Sequence, residues 1–269
     1  MVKDVLVVTG SGGMGTAVAR RLGPGRTVLL ADVHDESLAT AADALEGEGL
    51  EVTTHRVDVG RPESVEGLAE VAASLGRIGA VVHTAGLSPV QASPAAIVRV
   101  DLVGTALMLD AFARVIAPGG AGVFVASMAG SMASLDPDLE RRLATTPTVD
   151  LGGLSELSDE ALGDAATAYV TAKRGNQLRV RAAASSWGGR GARVNSLSPG
   201  VIATPMGEAE LAGPTGAVMR HMITGSATGR IGTPQDIAAA VAFLVGPDAG
   251  FITGTDLLVD GGVVAAIYV

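Results

Sequence analysis

The sequence predicts an α/β fold in which a doubly wound, seven-stranded parallel sheet carries helices on both faces. Short apolar, β-branched runs alternate along the chain with longer Ala-rich stretches, an alternation that is typical of βαβ units. Hydrophobic residues make up 48% of the 269 residues but aromatic residues only 3%, which suits buried parallel strands and closely packed helices. No Pro-rich or Ser-rich linker divides the chain, so we expect a single domain over residues 1–269.

Each strand of the sheet is predicted by one apolar run. In chain order the runs are DVLVVTG, RTVLLAD, EVTTHRVDV, IGAVVHTAG, AGVFVASM, GARVNSLSPG and TDLLVDGG. The intervening stretches supply the helices. The first, MGTAVARRLG, is expected to end at Gly23, while ATAADALEGEGLE and RVRAAASSWGGRG are expected to form helices with their C-terminal turns.

The composition argues against several functional classes. The formal net charge is -9, and the 19 Lys and Arg residues are spread along the chain, whereas nucleic-acid binding needs clustered basic residues. The absence of cysteine excludes disulfides, thiolate catalysis and thiolate metal sites. No run approaches the ~20 apolar residues of a membrane span, and MVKD followed by VLVV leaves no room for a signal sequence. We expect a soluble, cytoplasmic protein that binds neither nucleic acid nor membrane.

The first strand leads into a glycine-rich turn, VVTGSGGMGTA. Gly10, Gly12 and Gly15 have the spacing G-x-G-x-x-G between a predicted strand and a predicted helix, which is the context of a dinucleotide-binding Rossmann turn. Glycines let the backbone approach a pyrophosphate, and the helix N-terminus offers free N–H groups. The alternative is an ordinary tight turn. The predicted cofactor contacts of the turn are Gly10, Ser11, Gly12, Gly13 and Met14.

The second strand ends in Asp32, followed by Val33. Asp32 follows Gly10 at close to the ~20-residue spacing expected of the carboxylate that binds the adenosine ribose. Because a carboxylate repels a 2'-phosphate and no Lys or Arg lies in the turn or directly after Asp32, the cofactor is predicted to be NAD. The alternative for Asp32 is a capping or turn residue of DVHDESL.

The segment TAYVTAKRGNQL carries the strongest chemical signal. Tyr169 and Lys173 are four residues apart, which places both on one face of a helix. A phenol titrates near 10, so about 4 kcal/mol of preferential phenolate stabilisation is needed to bring its pKa to ~7. A neighbouring ammonium and the positive nicotinamide of NAD can supply it. The alternative is an exposed helical pair.

Further motifs follow the glycine turn in order. They are HTAG, VFVASMAG, YVTAK, SLSPGVIATPM, GRIGTPQDIA and ITGTDLLVDGG. Over nearly its whole length the chain resembles the short-chain dehydrogenase/reductase superfamily, and among its members it is most similar to those with a long insertion, the hydroxysteroid dehydrogenase type among them. The resemblance implies a single-domain Rossmann fold and an oxidoreductase that acts on CH–OH groups.

The resemblance also implies roles for individual residues. Ser127 would polarise the substrate oxygen, Tyr169 would be the acid/base, and Lys173 would lower the tyrosine pKa and hold the nicotinamide ribose. An alternative for Ser127 is a strand-end hydroxyl that satisfies a local backbone group. The remaining contacts implied for NAD lie beside the adenine (Asp58, Val59), beside the adenosine ribose (Ala85, Gly86) and around the carboxamide (Pro199, Gly200, Ile202, Thr204).

Three positions depart from the family pattern. The turn TGSGGMG is one residue shorter than the family form, and Thr84 replaces an Asn in HTAG. Asp101 stands in VRVDLVGTAL where the family has the helix Asn that completes the catalytic set. In the family that residue mainly offers its main-chain carbonyl to a water near the lysine, so Asp101 can keep the proton relay. Its negative charge near Lys173 leads us to predict a shifted pH optimum.

The largest departure is an insertion between Ser127 and Tyr169, at residues 131–166. It is expected to start and end at the active-site mouth and to form a lid or substrate wall. Asp136 with Pro137, and Ser158, are predicted to begin two short helices within it. A substrate loop is expected at 203–228, where Met206, Met219 and Met222 either line the site or pack against the sheet.

No metal site is predicted. Asp136, Asp138 and Glu140 lack the glycine and further ligands of a calcium loop, and the histidines show no paired spacing for zinc. His83, in an apolar strand, is expected to be a satisfied core residue.

The sequence therefore predicts an NAD-dependent oxidoreductase that interconverts a secondary alcohol and a ketone. Its substrate is expected to be mostly apolar and fairly bulky. The alternative is a catalytically idle dinucleotide-binding or regulatory protein of the same fold, because Asp101 departs from the catalytic pattern. The apolar C-terminal segment GGVVAAIYV predicts burial at a subunit interface of a homo-oligomer, a tetramer or a dimer, although the insertion can block one packing surface.

Overall fold

The computed structural model describes residues 3–267. Its centre is one seven-stranded sheet of order β3-β2-β1-β4-β5-β6-β7, and every neighbouring pair is parallel. The predicted fold class is confirmed, with one strand in each predicted run. The strands are β1 Asp4–Thr9, β2 Thr27–Asp32, β3 Glu51–Arg56, β4 Arg77–His83, β5 Ala121–Val125, β6 Arg193–Pro199 and β7 Asp256–Val259.

The helices cover both faces of the sheet. The longer ones are α1 Gly13–Leu22, α2 Asp35–Gly47, α3 Pro62–Leu75, α5 Gly104–Val115, α7 Pro137–Thr145, α10 Ala165–Gly188, α11 Pro205–Ala212, α12 Gly216–Gly225 and α13 Pro234–Val245. The shorter ones are α4 Pro94–Ile97, α6 Met128–Ser131, α8 Thr148–Leu151, α9 Asp159–Leu162 and α14 Val263–Ile267. A π-helical turn, Val98–Val103, joins α4 to α5, and 3-10 turns lie at Ser155–Leu157 and Pro247–Ala249.

Alternation along the strands sends side chains into two cores. Val5 and Val7 of β1 pack with α3, α5 and α10, where Phe112 and Trp187 are fully buried. Leu6 and Val8 of the same strand pack with α1, α2 and α13 on the other face. This layered packing places the carboxyl ends of all strands at one edge of the sheet. The strand order reverses between β1 and β4, and sheets of this type bind ligands at such a reversal.

The insertion forms a third apolar cluster against the outer side of α10. The leucines Leu143, Leu151, Leu157 and Leu162 are all buried there, and Tyr169 packs against the same cluster. The predicted caps are confirmed: the Asp136 side chain accepts from the N–H groups of Asp138 and Leu139, and Ser158 accepts from that of Ala161. The single turns of α8 and Ser155–Leu157 were not predicted, since they are too short to show a helical period.

Polar contacts tie the insertion to the body of the domain. Arg179 of α10 donates to the carbonyls of Leu143 and Thr146. Thr148 accepts from Arg179 and donates to Asp110 of α5. The insertion therefore covers adjoining parts of α5 and α10.

The C-terminal segment lies only partly in the interior of the chain. Val263 and Val264 are buried beside Met128 and Val201, whereas Ile267 is 49% exposed. Tyr268 and Val269, the end of the segment predicted to form a subunit interface, lie outside the described residues. Among the described helices, none has the length and apolar character needed to cross a bilayer.

Candidate active site

A cleft of about 500 Å³ opens at the carboxyl ends of β1, β2 and β4. It brings together most of the residues predicted to hold a dinucleotide. The predicted residues that line it are Gly10, Gly12, Gly13, Met14, Asp32, Val33, Asp58, Val59, Ala85, Gly86 and Thr204. Ser11 is adjacent, in the wall of a second, more open cavity beside it.

Two glycines of the turn are required by its backbone geometry. Gly10 has φ +93°, and a Cβ on Gly15 would lie 1.8 Å from the carbonyl oxygen of Gly10. A Cβ on Gly12 would have no described neighbour within 4 Å, which leaves open space at the N-terminus of α1, where Gly12 is the N-cap. Three residues separate β1 from α1. Thr84, which replaces the family Asn, donates its hydroxyl to the carbonyl of Thr9 at 2.9 Å.

Asp32 ends β2 with its carboxylate held in place by the backbone. Oδ2 accepts from the N–H of Ser11 at 2.7 Å and from the Ser11 hydroxyl at 2.9 Å. Oδ1 accepts from the N–H of His34 at 3.1 Å. Asp32 therefore also makes the local turn contact that the sequence left open as its alternative role. His34, not Asp32, is the N-cap of α2. Because an ionised carboxylate has about four acceptor sites, Asp32 keeps capacity for a ligand hydroxyl.

Basic side chains near this end of the cleft are paired with carboxylates. Arg20 lies 2.6 Å from Glu48, and Arg56 lies 3.6 Å from Asp35. Arg99, which lines the cleft, is paired with Asp58 at 3.0 Å. The positive charge of each of these arginines is therefore balanced by a neighbouring carboxylate.

Three residues predicted to contact the carboxamide lie outside the cleft. Pro199 ends β6, and Gly200 and Ile202 line a separate cavity of about 200 Å³. Ile202 is buried in the core between the sheet and α13, because the chain turns inward here and Ile202 bridges to Gly232. Thr204 does reach the cleft, and its hydroxyl also caps α11 by accepting from the N–H of Gly207 at 3.1 Å.

Ser127 lies two residues beyond β5, as the N-cap of α6. Its Oγ accepts from the N–H of Ala129 at 3.2 Å, so the local backbone role left open by the sequence is present. The Ser127 hydroxyl also makes a small contribution that lowers the pKa of the Tyr169 phenol. Since a hydroxyl has one donor and two acceptor sites, Ser127 keeps a donor for a substrate oxygen.

Tyr169 and Lys173 lie one turn apart near the start of α10. The Lys173 Nζ lies 5.3 Å from the centre of the Tyr169 ring. Gly86 separates this pair from the cofactor cleft, since a Cβ on Gly86 would lie 3.2 Å from Nζ. Lys173 thus borders the cleft at the place where Gly86 lines it.

Asp101 contacts Lys173 through its side chain. It lies in the π-helical turn and is fully buried, with Oδ2 3.0 Å from the Lys173 Nζ and Oδ1 accepting from the N–H of Leu87 at 2.7 Å. The sequence-based expectation centred on the main-chain carbonyl. In the structure that carbonyl accepts from the Thr105 hydroxyl at 2.7 Å, and the carboxylate makes the contact with Lys173.

The charges of this cluster act on one another. Burial raises the pKa of Tyr169, the negative charges of Asp101 and Glu210 raise it further, and the Lys173 charge opposes them. Burial lowers the pKa of Lys173, but the charges of Asp101 and Tyr169 outweigh that effect and hold it above its usual value. Burial likewise raises the pKa of Asp101 against the pull of Lys173.

Two buried polar side chains are less well satisfied than expected. His83 Nδ1 lies 2.6 Å from the Thr9 hydroxyl, but Nε2 has no hydrogen-bond partner among the described residues. The prediction of a satisfied core histidine is therefore only half right. Burial lowers the pKa of His83 to about 3, so the ring is neutral. Both polar atoms of the Asn176 side chain on α10 are also buried without a described partner.

Three further residues at the site were not predicted. Arg99 lines the cleft, and the Ser88 hydroxyl donates to Glu210 at 2.7 Å. Their sequence signals are weak. Ser88 comes two residues after the TAG motif, and Glu210 is a charged residue within the Met-containing segment PMGEAELA. Nothing in either local sequence predicts that their side chains meet.

The chain has relatives along its whole length. The family model described as short chain dehydrogenase matches residues 3–136, and the one described as enoyl-(acyl carrier protein) reductase matches residues 153–264. The chain is 39% identical to the short-chain dehydrogenase/reductase bsc3 of Alternaria brassicicola, with 98% of this chain and 97% of that protein covered. It is 31% identical to the D-threitol dehydrogenase of Mycolicibacterium smegmatis, with 97% and 92% covered. The solved structure of a short-chain dehydrogenase/reductase from Serratia marcescens has a TM-score of 0.76 at 23% identity, with 97% of each chain covered.

Proposed function

Because the chain belongs to the short-chain dehydrogenase/reductase superfamily, we propose that it is an NAD(H)-dependent oxidoreductase that interconverts a secondary alcohol and a ketone. The observation that carries the proposal is the cluster of Tyr169, Lys173 and Ser127, whose Lys173 ammonium lies against Gly86 at the border of a glycine-cradled cleft. A coarser activity, oxidoreduction of small alcohols or ketones, matches the names of its relatives.

Tyr169 moves the proton in this proposal. In the oxidation direction the ionised phenol takes the hydroxyl proton of the substrate while the carbinol C–H bond breaks, and in the reduction direction the neutral phenol returns it. Lys173, 5.3 Å from the ring, stabilises the phenolate. The Ser127 hydroxyl donates to the substrate oxygen and orients it. Bound NAD supplies the acceptor for the two electrons that leave with the C–H hydrogen, and its positive ring adds to the effect of Lys173.

The residues of the cleft fit a dinucleotide and favour NAD. Open space at Gly12 lets a pyrophosphate approach the N-terminus of α1. Asp32, held by Ser11, has acceptor capacity for the ribose hydroxyls and repels a 2'-phosphate. Arg20, Arg56 and Arg99 are each engaged by a carboxylate, which weakens the case for NADP. Asp58 and Val59 would lie at the adenine.

The substrate would lie between the catalytic cluster and the loop at 203–228. Met206 lines the cleft, while Met219 and Met222 pack with Met128, the neighbour of Ser127. Thioether side chains adapt to irregular apolar shapes. These contacts support a bulky, largely apolar substrate, and the insertion, whose core reaches Tyr169, is the proposed second wall.

A catalytically idle dinucleotide-binding protein is the second candidate. The observation that favours it is the raised pKa of Tyr169, which burial, Asp101 and Glu210 all support. A phenol that stays neutral is a poor base in the oxidation direction. The retention of Ser127 and Lys173 around the phenol argues against this candidate.

Assembly into a homo-oligomer remains part of the proposal. β7 lies at an edge of the sheet, Phe251 beside it is fully exposed, and Phe243 and Leu258 are partly exposed. An exposed apolar edge of this kind favours pairing with a second copy. Because the insertion covers parts of α5 and α10, a dimer through the β7 edge is favoured over a tetramer. Light scattering that shows a monomer would refute this assembly.

Turnover with a panel of secondary alcohols tests the function. The protein is incubated with NAD or NADP and alcohols that include sterols, and reduced nicotinamide is followed. We expect turnover with a preference for NAD. Tyr169→Phe should reduce kcat by roughly 10²–10⁴-fold while NAD still binds, as measured by calorimetry. Tight NAD binding without turnover in the unaltered protein would instead support the idle binder.

A further inference from the structure

Glu210 is a carboxylate near the active site that none of the proposed chemical steps uses. The Ser88 hydroxyl donates to its Oε1 at 2.7 Å, and Ser88 is fully buried. The preceding residue, Leu87, donates its N–H to Asp101, which is paired with Lys173. Through this short series of contacts, Glu210 is anchored beside the catalytic cluster.

Glu210 lies on the same face of α11 as a residue of the cleft wall. Met206 lines the cleft, and Glu210 follows it by four residues on the same helix, which places both on one helical face. Glu208, two residues away from Glu210, is exposed. The charge of Glu210 also raises the pKa of both Tyr169 and Lys173, so the carboxylate lies near both.

We propose that Glu210 determines substrate specificity by accepting a hydrogen bond from a second donor group, a hydroxyl or an ammonium, on the secondary alcohol bound at Ser127 and Tyr169. This inference rests on the proposed function. Ser88 uses one of the about four acceptor sites of the carboxylate, which leaves sites for a ligand. The substrate is thus largely apolar against the methionines but carries a donor remote from the carbinol. A negatively charged substituent is disfavoured by the like charge of Glu210.

A purely structural role makes a different prediction. Within the described residues, the Ser88–Glu210 hydrogen bond is the one side-chain hydrogen bond that ties residues 205–225 to the chain outside 204–226. If Glu210 only held α11 in place, its loss would affect every substrate by a similar factor. Glu210→Gln separates the two roles, because the amide oxygen of the variant can still accept from Ser88 but the negative charge is gone.

The test compares four substrates that differ in one substituent. They are cyclohexanol and its derivatives with a hydroxyl, an ammonium or a carboxylate at the opposite ring position. For the unaltered protein with NAD, we expect kcat/KM for the hydroxyl and ammonium compounds to exceed that for cyclohexanol by about tenfold or more, and the carboxylate compound to be the poorest. Glu210→Gln should lower the ratio of ammonium to carboxylate by roughly 10-fold to 100-fold.

Two control variants complete the test. Glu208→Gln removes an equal charge from the exposed face of α11 and should leave kcat/KM for all four substrates unchanged. Ser88→Ala keeps the Glu210 charge and should change the four values together. Equal effects of Glu210→Gln on all four substrates, or no effect, would overturn the specificity role while leaving the proposed function intact. No turnover of any of the four or of the wider alcohol panel with either cofactor, with NAD still bound, would instead remove the proposed function.

Discussion

Replacement of Asp101 by Asn tests how the buried ion pair controls the catalytic phenol. The Asp101 carboxylate lies 3.0 Å from the Lys173 Nζ, and its charge raises the pKa of Tyr169. The variant keeps an oxygen that can accept from the N–H of Leu87 but loses the negative charge. If oxidation requires the ionised phenol, the rise of kcat/KM with pH should therefore move to lower pH.

The size of the shift can be worked out from two distances. Because the Lys173 Nζ lies 3.0 Å from Asp101 Oδ2 and 5.3 Å from the Tyr169 ring centre, the carboxylate is at most roughly 8 Å from the ring. Two unit charges at that separation interact by about 2 kcal/mol at an effective dielectric constant of about 20. That energy corresponds to about 1.5 pKa units. Because roughly 8 Å is the largest separation that the two distances allow, we expect the profile to move down by about 1.5 pH units or more.

The assay is the pH dependence of kcat/KM for alcohol oxidation, measured with the best alcohol of the panel. Asp159→Asn, an exposed aspartate at the start of α9, is the matched control and should leave the profile in place. Urea unfolding checks the fold of Asp101→Asn, since breaking a buried pair can cost about 3–5 kcal/mol. A folded Asp101→Asn variant with an unmoved profile, or one moved to higher pH, would refute the reasoning.

Four further changes have outcomes fixed by the geometry. Gly15→Ala places a Cβ 1.8 Å from the Gly10 oxygen and should therefore lower the midpoint of urea unfolding. Gly12→Ala should fold normally. It should weaken NAD binding at least tenfold, because the added methyl group fills the space proposed for the pyrophosphate. Asp32→Ala should reduce the ratio of kcat/KM for NAD to that for NADP by about tenfold or more, chiefly by loss of NAD binding. His83→Gln should flatten the acid side of the stability profile. The folded pKa of His83 is about 3 and the unfolded value about 6.5, so its contribution is complete above pH ~6.5 and is lost as pH falls towards ~3, by up to about 1.4 kcal/mol per pH unit.

Each of these predictions has a result that contradicts it. Normal stability of Gly15→Ala would show that the turn yields easily, and unchanged NAD affinity of Gly12→Ala would place the pyrophosphate elsewhere. An unchanged cofactor ratio in Asp32→Ala would leave Asp32 with only its turn role at Ser11 and His34. Equal acid slopes for His83→Gln and the unaltered protein, from urea unfolding at several pH values, would mean that His83 is protonated in the folded state.

Local patterns predicted what depends on neighbouring residues. The strands follow from apolar runs, and the caps at Asp136, Ser158 and Gly23 follow from residue types that satisfy helix ends. The order of the motifs predicted which residues would line the cleft. These predictions hold in the folded structure because they depend on neighbouring residues and little on contacts with distant parts of the chain.

Contacts between distant segments could not be predicted. Ser88 and Glu210 are 122 residues apart, and their meeting depends on how α11 packs. The sequence placed Asp101 near Lys173 but could not show that a π-helical turn directs its carboxylate, and not its carbonyl, to Nζ. Ile202 matched the carboxamide loop, yet it is buried among the core residues between the sheet and α13. In each case packing decided the orientation of a side chain.

The segment of α11 and α12 has a consequence for the time scales on which this protein opens. Apolar contacts of Leu211, Met219, Met222 and Ile223 hold it, together with the hydrogen bond to Ser88. Segments with so few ties open independently of a sheet core, and their amide protons exchange with solvent long before the core does. Hydrogen exchange should therefore divide the chain into a fast unit at 205–225 and a slow one around β1, β4 and β5. Binding of a ligand to Glu210 should slow amide exchange in residues 205–225 and leave exchange in the core unchanged.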